Sequence, residues 1–312
     1  MVAEAYTGRF APSPTGPLHF GSLVSALASF LDARARHGRW LLRIEDIDPP
    51  REVPGAAASI VRQLDAHGLH WDGEILYQSG QATQYRDALR RLAATGSLFL
   101  CDCTRERLRR LDGNYDGACR DRVLTDPDRE SSGYSIRIRT GDAPVIHFTD
   151  WLRGRSVATH LERTGGDFVL RRRDGLFAYQ LATAVDDAAQ DISHVVRGND
   201  LLESTPRQIF LLRALGVPVP AYGHVPVMTD SAGRKLSKQN HAPALDVARA
   251  GDNIFRALTW LGQNPPSAAA GASVAELLHW ASLHWSPQAV WQGREPNITE
   301  STAMHYQDDK KV

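Results

Sequence analysis

The sequence is poor in the features that mark secreted, membrane-bound and strongly charged proteins. Only three of its 312 residues are cysteines, and no apolar run approaches the roughly 20 residues that a bilayer-spanning helix needs. The first residues, MVAEAYTGRF, lack the basic and then apolar pattern of a signal peptide. Lysine plus arginine and aspartate plus glutamate both total 36, so the balance of charge argues against a grossly basic nucleic-acid coat. We therefore expect a cytoplasmic protein that contacts no membrane, where structural disulfides are rare.

The composition is that of a globular protein, and the order of the predicted strands and helices is that of an α/β fold. Hydrophobic residues make up 42% and charged residues 23% of the chain, which suits one elaborated domain or two modest ones. Residues 5–10 predict a strand, the segment APSPTGP (11–17) interrupts regular structure, and apolar residues at helical spacing run to Gly38. RWLLRI (39–44) predicts a second strand, so the chain opens with a Rossmann-type strand–helix–strand unit.

Further helices and strands follow at regular intervals. Helices are predicted at 58–68, 83–96 and 176–188, and strands at 97–101, 134–140 and 193–198. A helix is also predicted over 204–216, with Thr205 as N-cap, Pro206 in its first position and Gln208 completing a capping box.

Two loops have the features of a polyphosphate site. GRFAPSPTGPLHFGSL (8–23) joins a strand to a helix predicted to begin near Gly21-Ser22, and helix N-termini suit phosphate. His19 could donate to a phosphate oxygen there. GRKLSKQN (233–240) is a cationic loop suited to a group whose negative charge rises during reaction. Either loop alone has an ordinary alternative, a proline-rich turn or a solvated lysine loop, but the pair is more specific.

Taken together, the two loops resemble the paired signatures of the class I aminoacyl-tRNA synthetases. HFGS (19–22) is similar to the His-Ile-Gly-His motif, and KLSKQ (235–239) to the Lys-Met-Ser-Lys-Ser loop. RIEDIDPPRE (43–52), GLHWDG (68–73) and VVRGNDLLESTPRQ (195–208) narrow the resemblance to glutamyl-tRNA synthetases. It runs from about residue 6 to about residue 245.

The sequence resembles one subgroup more closely, namely the glutamyl-queuosine tRNA(Asp) synthetases, which lack an anticodon-binding domain. PPREVPGAA (49–57) and KLSKQNHAPAL (235–245) are typical of it, and residues 246–312 are too few for two further domains. The implied fold is a Rossmann-type class I catalytic domain over 1–240 with a zinc-bearing insertion at about 98–175. A small, mainly helical stem-contact-like subdomain over 241–295 and a flexible polar tail over 296–312 would complete the chain.

The resemblance implies an ATP-dependent ligase whose partners are L-glutamate, ATP and tRNA(Asp) carrying queuosine. Glutamate would be activated to glutamyl-adenylate without tRNA, with Mg²⁺ accompanying ATP, and then joined to the queuosine base in the anticodon. The attacking carboxylate is already ionised, so positioning and charge stabilisation must supply the rate. We expect a monomer. The alternatives are a truncated enzyme that charges tRNA(Glu) and a non-catalytic, synthetase-like RNA-binding module.

The resemblance also assigns residues to the two substrates. The implied catalytic and ATP-binding residues are His19, Gly21, Ser22, Lys235, Ser237 and Lys238, with His19 and Lys238 as the catalytic pair. The implied glutamate-binding residues are Arg9, Phe10, Ala11, Pro12, Ser13, Glu45, Tyr179 and Arg197. In this assignment Glu45 holds the substrate ammonium, while Arg9 and Arg197 hold its carboxylates. Asp186 and Asp187 are interpreted as structural.

Each assignment has an ordinary alternative. Either arginine could be a plain ion-pair residue, and Glu45 could pair with Arg43 or Arg51 on the surface. Ser22 departs from the second histidine of the family motif, but its hydroxyl can still donate one hydrogen bond.

All three cysteines lie within residues 101–119, as a C-x-C pair and a third thiol sixteen residues on. This spacing is reasonable for zinc, but no histidine lies in the segment to complete the site. The oxygen donors there are Asp102, Asp112, Tyr115 and Asp116, and ligand chemistry alone favours Asp116. The resemblance instead implies a structural zinc site formed by Cys101, Cys103, Tyr115 and Cys119.

Overall fold

The strand–helix–strand unit predicted at the N-terminus is present in the computed structural model, which describes residues 5–111, 115–128, 133–141, 145–228 and 243–292 and the backbone of 304–307. Strand β1 (Thr7–Phe10) leads through the proline-rich loop into helix α1 (Phe20–Ala35), and strand β2 (Arg39–Ile44) follows. β1 and β2 pair in parallel. Because α1 is the crossover between them, its buried apolar residues pack on the strands as one core.

Six further strands extend this parallel core on both sides. They are β3 (Leu76–Tyr77), β6 (Ile146–Asp150), β7 (Arg155–Thr159), β9 (His194–Gly198), β10 (Ala221–Val225) and β11 (Met304–Gln307). β3 pairs with β2, while β9 lies on the other side of β1, where the Ser193 N–H donates to the Thr7 carbonyl at 3.0 Å. β10 and then β6 continue in parallel, and β7 and β11 add antiparallel partners. The crossover from β2 back across β1 to β9 is that of a Rossmann-type sheet, as predicted.

Helices cover the sheet and fill the space beside it. They are α2 (Ala56–Ala66), α3 (Ala82–Ala94), α4 (Arg105–Arg109), α5 (Tyr179–Ala189), α6 (Thr205–Ala214), α7 (Ala250–Trp260) and α8 (Val274–His284). α7 and α8 join the core of α1 through Leu258, Leu277 and their neighbours. Among the described residues, no helix has both the length and the apolar character needed to cross a bilayer.

A second, smaller sheet lies in the range where the sequence predicts an insertion. Strands β4 (Leu98–Cys101), β5 (Ser135–Ile138) and β8 (Phe168–Arg171) form it in antiparallel order β4-β5-β8. Strands β6 and β7 fall between β5 and β8 in sequence, yet they belong to the main sheet through β10. The insertion is therefore interleaved with the main sheet, and the domain boundaries remain a prediction.

The capping box predicted at the start of α6 is wrong. The residue before α6 is Ser204, and its side chain makes no capping hydrogen bond. Thr205 and Gln208 instead accept hydrogen bonds from the buried guanidinium of Arg197, at 2.7 and 2.8 Å. A long-range polar contact has taken over the two side chains that the local pattern assigns to a cap.

Candidate active site and metal site

A cavity of about 550 Å³ opens at the carboxyl ends of β1, β2 and β9, where parallel α/β sheets bind ligands. Its lining includes all the described residues that were predicted to bind substrates: Arg9, Phe10, Ala11, Pro12, Ser13, His19, Gly21, Ser22, Glu45, Tyr179 and Arg197. Segments far apart in sequence thus meet at one site. The roles of these residues stay predictions.

The N-terminus of α1 forms one wall of the cavity. His19 is the N-cap, and its Nδ1 accepts a hydrogen bond from the Ser22 N–H at 3.3 Å. A Cβ added at Gly21 would lie 3.2 Å from the His19 ring, so glycine leaves room for the imidazole. The first turn carries no acidic side chain. The positive end of the helix dipole therefore faces the cavity without a local counter-charge.

Only the residues on either side of the second predicted loop are described. Lys235, Ser237 and Lys238 lie outside the described residues, which stop at 228 and resume at 243. On one flank Met228 lines the cavity. On the other, Ala244 forms a β-bridge with His19. Both ends of the lysine segment are therefore next to the α1 wall.

Arg9 and Glu45 also line the cavity, and they belong to a buried cluster of arginines and carboxylates formed by Arg9, Arg43, Glu45, Asp186 and Asp187. Asp187 bridges the two arginines: Arg9 Nε and Arg43 Nη2 donate to its Oδ1 at 3.2 and 2.7 Å. Glu45 lies 3.7 Å from Arg43 Nη2 and is 8% exposed. Glu45 does contact Arg43, as the ordinary alternative suggested, but inside the protein and at the cavity wall rather than on the surface.

The carboxylates of this cluster have unequal proton affinities. Burial raises the pKa of Glu45 to about 6, against the opposing effect of Arg43 and Arg9. Burial likewise raises the pKa of Asp186 to about 6. Burial also acts to raise the pKa of Asp187, but Arg9 and Arg43 outweigh it and hold that pKa below its usual range. At neutral pH the cluster therefore has three carboxylates for two arginines, and its surplus negative charge favours a cationic group.

Arg197 lies at the end of β9 in a different environment. Its Nε donates to His224 Nε2 at 3.3 Å, and its other donors reach Gln208, Thr205 and the Leu201 carbonyl. All these acceptors are neutral, and no carboxylate in the described part of the chain forms an ion pair with Arg197. The positive charge of Arg197 thus remains available at the cavity wall.

Sequence reasoning missed Arg43, Gln208 and His224 as parts of this site. Arg43 had a visible signal, since an arginine in the apolar strand RWLLRI must find a buried counter-charge. Asp187 was interpreted as structural, and the structure shows that it pairs with the arginine of the cavity wall. His224 gave no sequence signal, because its partners come from β6, β9 and α6.

The three cysteines converge as free thiols in the small sheet region. Their sulfur atoms lie within 4.8 Å of one another, and Cys103 Sγ is 3.6 Å from Cys119 Sγ. The Tyr115 phenol oxygen accepts from the Cys119 N–H at 2.9 Å and hydrogen-bonds the thiols of Cys119 and Cys101. Three sulfurs and one oxygen gathered in this way could hold a zinc ion.

Two of the alternative fourth ligands, Asp116 and Asp102, form ion pairs with arginines. Asp116 accepts two hydrogen bonds from Arg107, at 2.5 and 3.2 Å. Asp102 pairs with Arg122 at 2.6 Å, although its other oxygen is 3.5 Å from Cys119 Sγ. Asp112 lies outside the described residues. The geometry therefore favours Tyr115 over Asp116, the residue that ligand chemistry alone suggested.

Comparison with known families agrees with this fold. Residues 6–286 match the family described as tRNA synthetases class I (E and Q), catalytic domain. The chain belongs to this family of class I synthetases and is therefore a ligase-type enzyme.

Individual relatives narrow the similarity. The chain is 52% identical over 293 residues to the glutamyl-Q tRNA(Asp) synthetase of Dechloromonas aromatica, covering 91% of this chain and 95% of that protein. It is 49% identical over 303 residues to the enzyme of the same name from Salmonella paratyphi A, covering 97% and 99% of the two chains.

Two solved structures share the fold. A glutamate-tRNA synthetase from Elizabethkingia anophelis has a TM-score of 0.74 at 26% identity over 92% of this chain. A glutamate tRNA ligase from Elizabethkingia meningosepticum, solved in complex with its amino acid, has a TM-score of 0.75 at 26% identity over 92% of this chain. The present chain covers 67% and 66% of those two proteins.

Proposed function

We propose that the protein activates L-glutamate with ATP, without tRNA, and transfers the glutamyl group to the queuosine base in the anticodon of tRNA(Asp). The observation that carries the first step is the pairing of a buried, net-negative cluster around Glu45 with the uncompensated charge of Arg197 in one cavity. An amino acid with a second carboxylate matches both features. The second step is supported by the names of the relatives that share about half of their residues with this chain.

Glutamate recognition follows from the two charged walls. The substrate ammonium would lie against Glu45, where it balances the third carboxylate of the cluster. A substrate carboxylate would lie against Arg197, whose protein partners are all neutral. Glutamine would present a neutral amide there and leave a buried cation unpaired, which is the kind of mismatch that gives strong discrimination.

ATP would bind with its phosphates at the N-terminus of α1. The backbone N–H groups of the first turn, the His19 imidazole and the Ser22 hydroxyl are the donors available there. An oxygen of the glutamate α-carboxylate would attack the α-phosphorus, the bond to the bridging oxygen would break, and pyrophosphate would leave. Lys235 and Lys238 would stabilise the charge of that leaving group. Mg²⁺, when bound with ATP, would supply further charge neutralisation.

The thiol cluster would have a structural role in this scheme. Zinc held by Cys101, Cys103, Cys119 and Tyr115 would link the end of β4 to the segment around 115–119. Apolar packing is sparse there: the local apolar group is small and consists of Phe99, Leu108 and the ligands themselves. A closed metal site would therefore contribute stability that this region lacks.

Glutamate-dependent exchange between ATP and pyrophosphate, without tRNA, tests the activation step. We expect exchange with glutamate and at least about a hundred-fold less with glutamine, because the amide leaves Arg197 unpaired. Arg197→Lys should lose most of this activity. The same substitution at Arg213, which is exposed on α6, is the matched control and should leave exchange unchanged. Absence of glutamate-dependent exchange in the wild-type protein would refute the proposed activity.

A further inference from the structure

A buried chain of hydrogen bonds runs from Arg197 through His224 to Asp150. Asp150 ends β6 and His224 lies on β10, and both side chains are fully buried. His224 Nδ1 lies 2.9 Å from Asp150 Oδ2. The other carboxylate oxygen, Oδ1, accepts from the backbone N–H groups of His224 and Arg153 at 3.2 and 3.3 Å. Asp150 is therefore fixed by the backbone on one side and presents its second oxygen to the imidazole.

The protonation of His224 follows from its neighbours. Its Nε2 faces Arg197 Nε at 3.3 Å, and a guanidinium can only donate. Thr205 Oγ1, which accepts from Arg197 Nη2, lies 3.0 Å from the same nitrogen and is able to donate its own proton to it. Nε2 must then be the unprotonated acceptor, and the single ring proton lies on Nδ1 and is donated to Asp150. Burial, which lowers the pKa of His224, also favours this neutral form.

The two arginines of the cavity wall are consequently held in opposite ways. Arg9 is neutralised by Asp187 at 3.2 Å. Arg197 is held by His224 and other neutral acceptors, which fix its orientation without cancelling its charge. A carboxylate placed directly against Arg197 would fix it equally well but would compete with the substrate.

We infer that Asp150 and His224 are positioning residues: Asp150 fixes the Nδ1–H tautomer of His224, and that tautomer orients Arg197, which directly contacts no described carboxylate, for a substrate carboxylate. The identity of that substrate as glutamate rests on the proposed function, but the tautomer does not. Neither residue lines the cavity, so both act through Arg197.

Asp150→Asn tests the inference with almost no change of shape. The asparagine Oδ1 keeps accepting from the two backbone N–H groups, so its amide Nδ2 faces His224 Nδ1 and donates to it. The ring proton must then move to Nε2, where it opposes Arg197 Nε–H. We expect KM for glutamate in the exchange assay to rise about tenfold or more, while KM for ATP and kcat stay within about twofold.

Asp32→Asn is the matched control, because Asp32 is equally buried but accepts from Tyr6 and Trp285, away from Arg197. It should leave both KM values within about twofold. An unchanged KM for glutamate in Asp150→Asn, or equal effects on glutamate and ATP, would overturn the inference.

Two substitutions of His224 separate its two nitrogens. Glutamine places an acceptor near the position of Nε2, whereas asparagine reproduces only Nδ1. His224→Gln should therefore retain a KM for glutamate closer to wild type than His224→Asn does. Equal KM values for the two variants would contradict the role of Nε2.

Nitrogen-15 NMR of the wild-type histidines reports the tautomer without any measurement of activity. We expect the resonances of His224, assigned by comparison with His224→Gln, to be those of the Nδ1–H tautomer. An Nε2–H or doubly protonated ring would overturn the inference. If the wild-type protein shows this tautomer but no glutamate-dependent exchange, the proposed function fails while the tautomer assignment stands.

Discussion

Lowering the pH from 7 to 5 should weaken glutamate binding about tenfold through Glu45. Burial raises the pKa of this carboxyl to about 6, and only its ionised form can pair with the substrate ammonium. The ionised fraction then falls from about nine-tenths at pH 7 to about one-tenth at pH 5, a loss equivalent to about 1.4 kcal/mol of binding free energy. Asp187 stays ionised over this range because Arg9 and Arg43 hold its pKa below the usual value.

Titration calorimetry with glutamate at pH 5, 6, 7 and 8 measures this effect directly. Below pH 6, binding of glutamate should release a proton from Glu45. The measured heat of binding should then depend on the ionisation enthalpy of the buffer. The Glu45→Gln variant should bind glutamate weakly at every pH, and its affinity should no longer depend on pH. Asp186 also has a pKa of about 6, but it is bound to Gln78 and Tyr85 and does not line the cavity. The affinity of the Asp186→Asn variant for glutamate should therefore depend on pH as that of the wild-type protein does. Equal affinity of the wild-type protein for glutamate at pH 5 and pH 7 would refute the assignment of Glu45.

Three further predictions concern the metal site and the stability of the fold. Tyr115→Phe should lower zinc retention during dialysis against a chelator, whereas Asp116→Asn should leave it unchanged; retention that depends on Asp116 instead would reverse the ligand assignment. Asp187→Asn should lower the free energy of unfolding in urea by about 3–5 kcal/mol, because it leaves two buried arginines with one carboxylate fewer; a loss below about 1 kcal/mol would show that these arginines find other partners. Gly38→Ala should destabilise the protein by about 1–3 kcal/mol, because the new Cβ would lie 2.6 Å from the Tyr6 side chain; an unchanged thermal midpoint would show that Tyr6 can move aside.

The parts of the fold that depend on local pattern could be predicted from the sequence. The spacing of apolar residues, the proline-rich loop and Gly38 together predict the strand–helix–strand unit. The helix was expected to begin near Gly21-Ser22, and it begins at Phe20 with His19 as N-cap. The difference arises because an imidazole nitrogen, rather than a serine hydroxyl, accepts the free N–H of the first turn.

The parts that depend on long-range contacts could not be predicted. Asp187 meets Arg9 although 178 positions separate them, and no local period encodes such a contact. Thr205 and Gln208 fit a capping pattern in sequence, yet the cost of leaving Arg197 unsatisfied in the core decides where they bond. The membership of β6 and β7 in the main sheet was missed for the same reason, since β7 joins that sheet through β6, and the partner of β6, β10, comes some 70 residues later in the chain.

If the enzyme places glutamate on queuosine in tRNA(Asp), only a tRNA that carries this base can accept it. Labelled glutamate, ATP and the wild-type protein should be incubated with tRNA(Asp) that carries queuosine, with the same tRNA lacking it, and with tRNA(Glu). We expect label only on the tRNA(Asp) that carries queuosine. Equal labelling of both forms of tRNA(Asp), or label on tRNA(Glu), would contradict it.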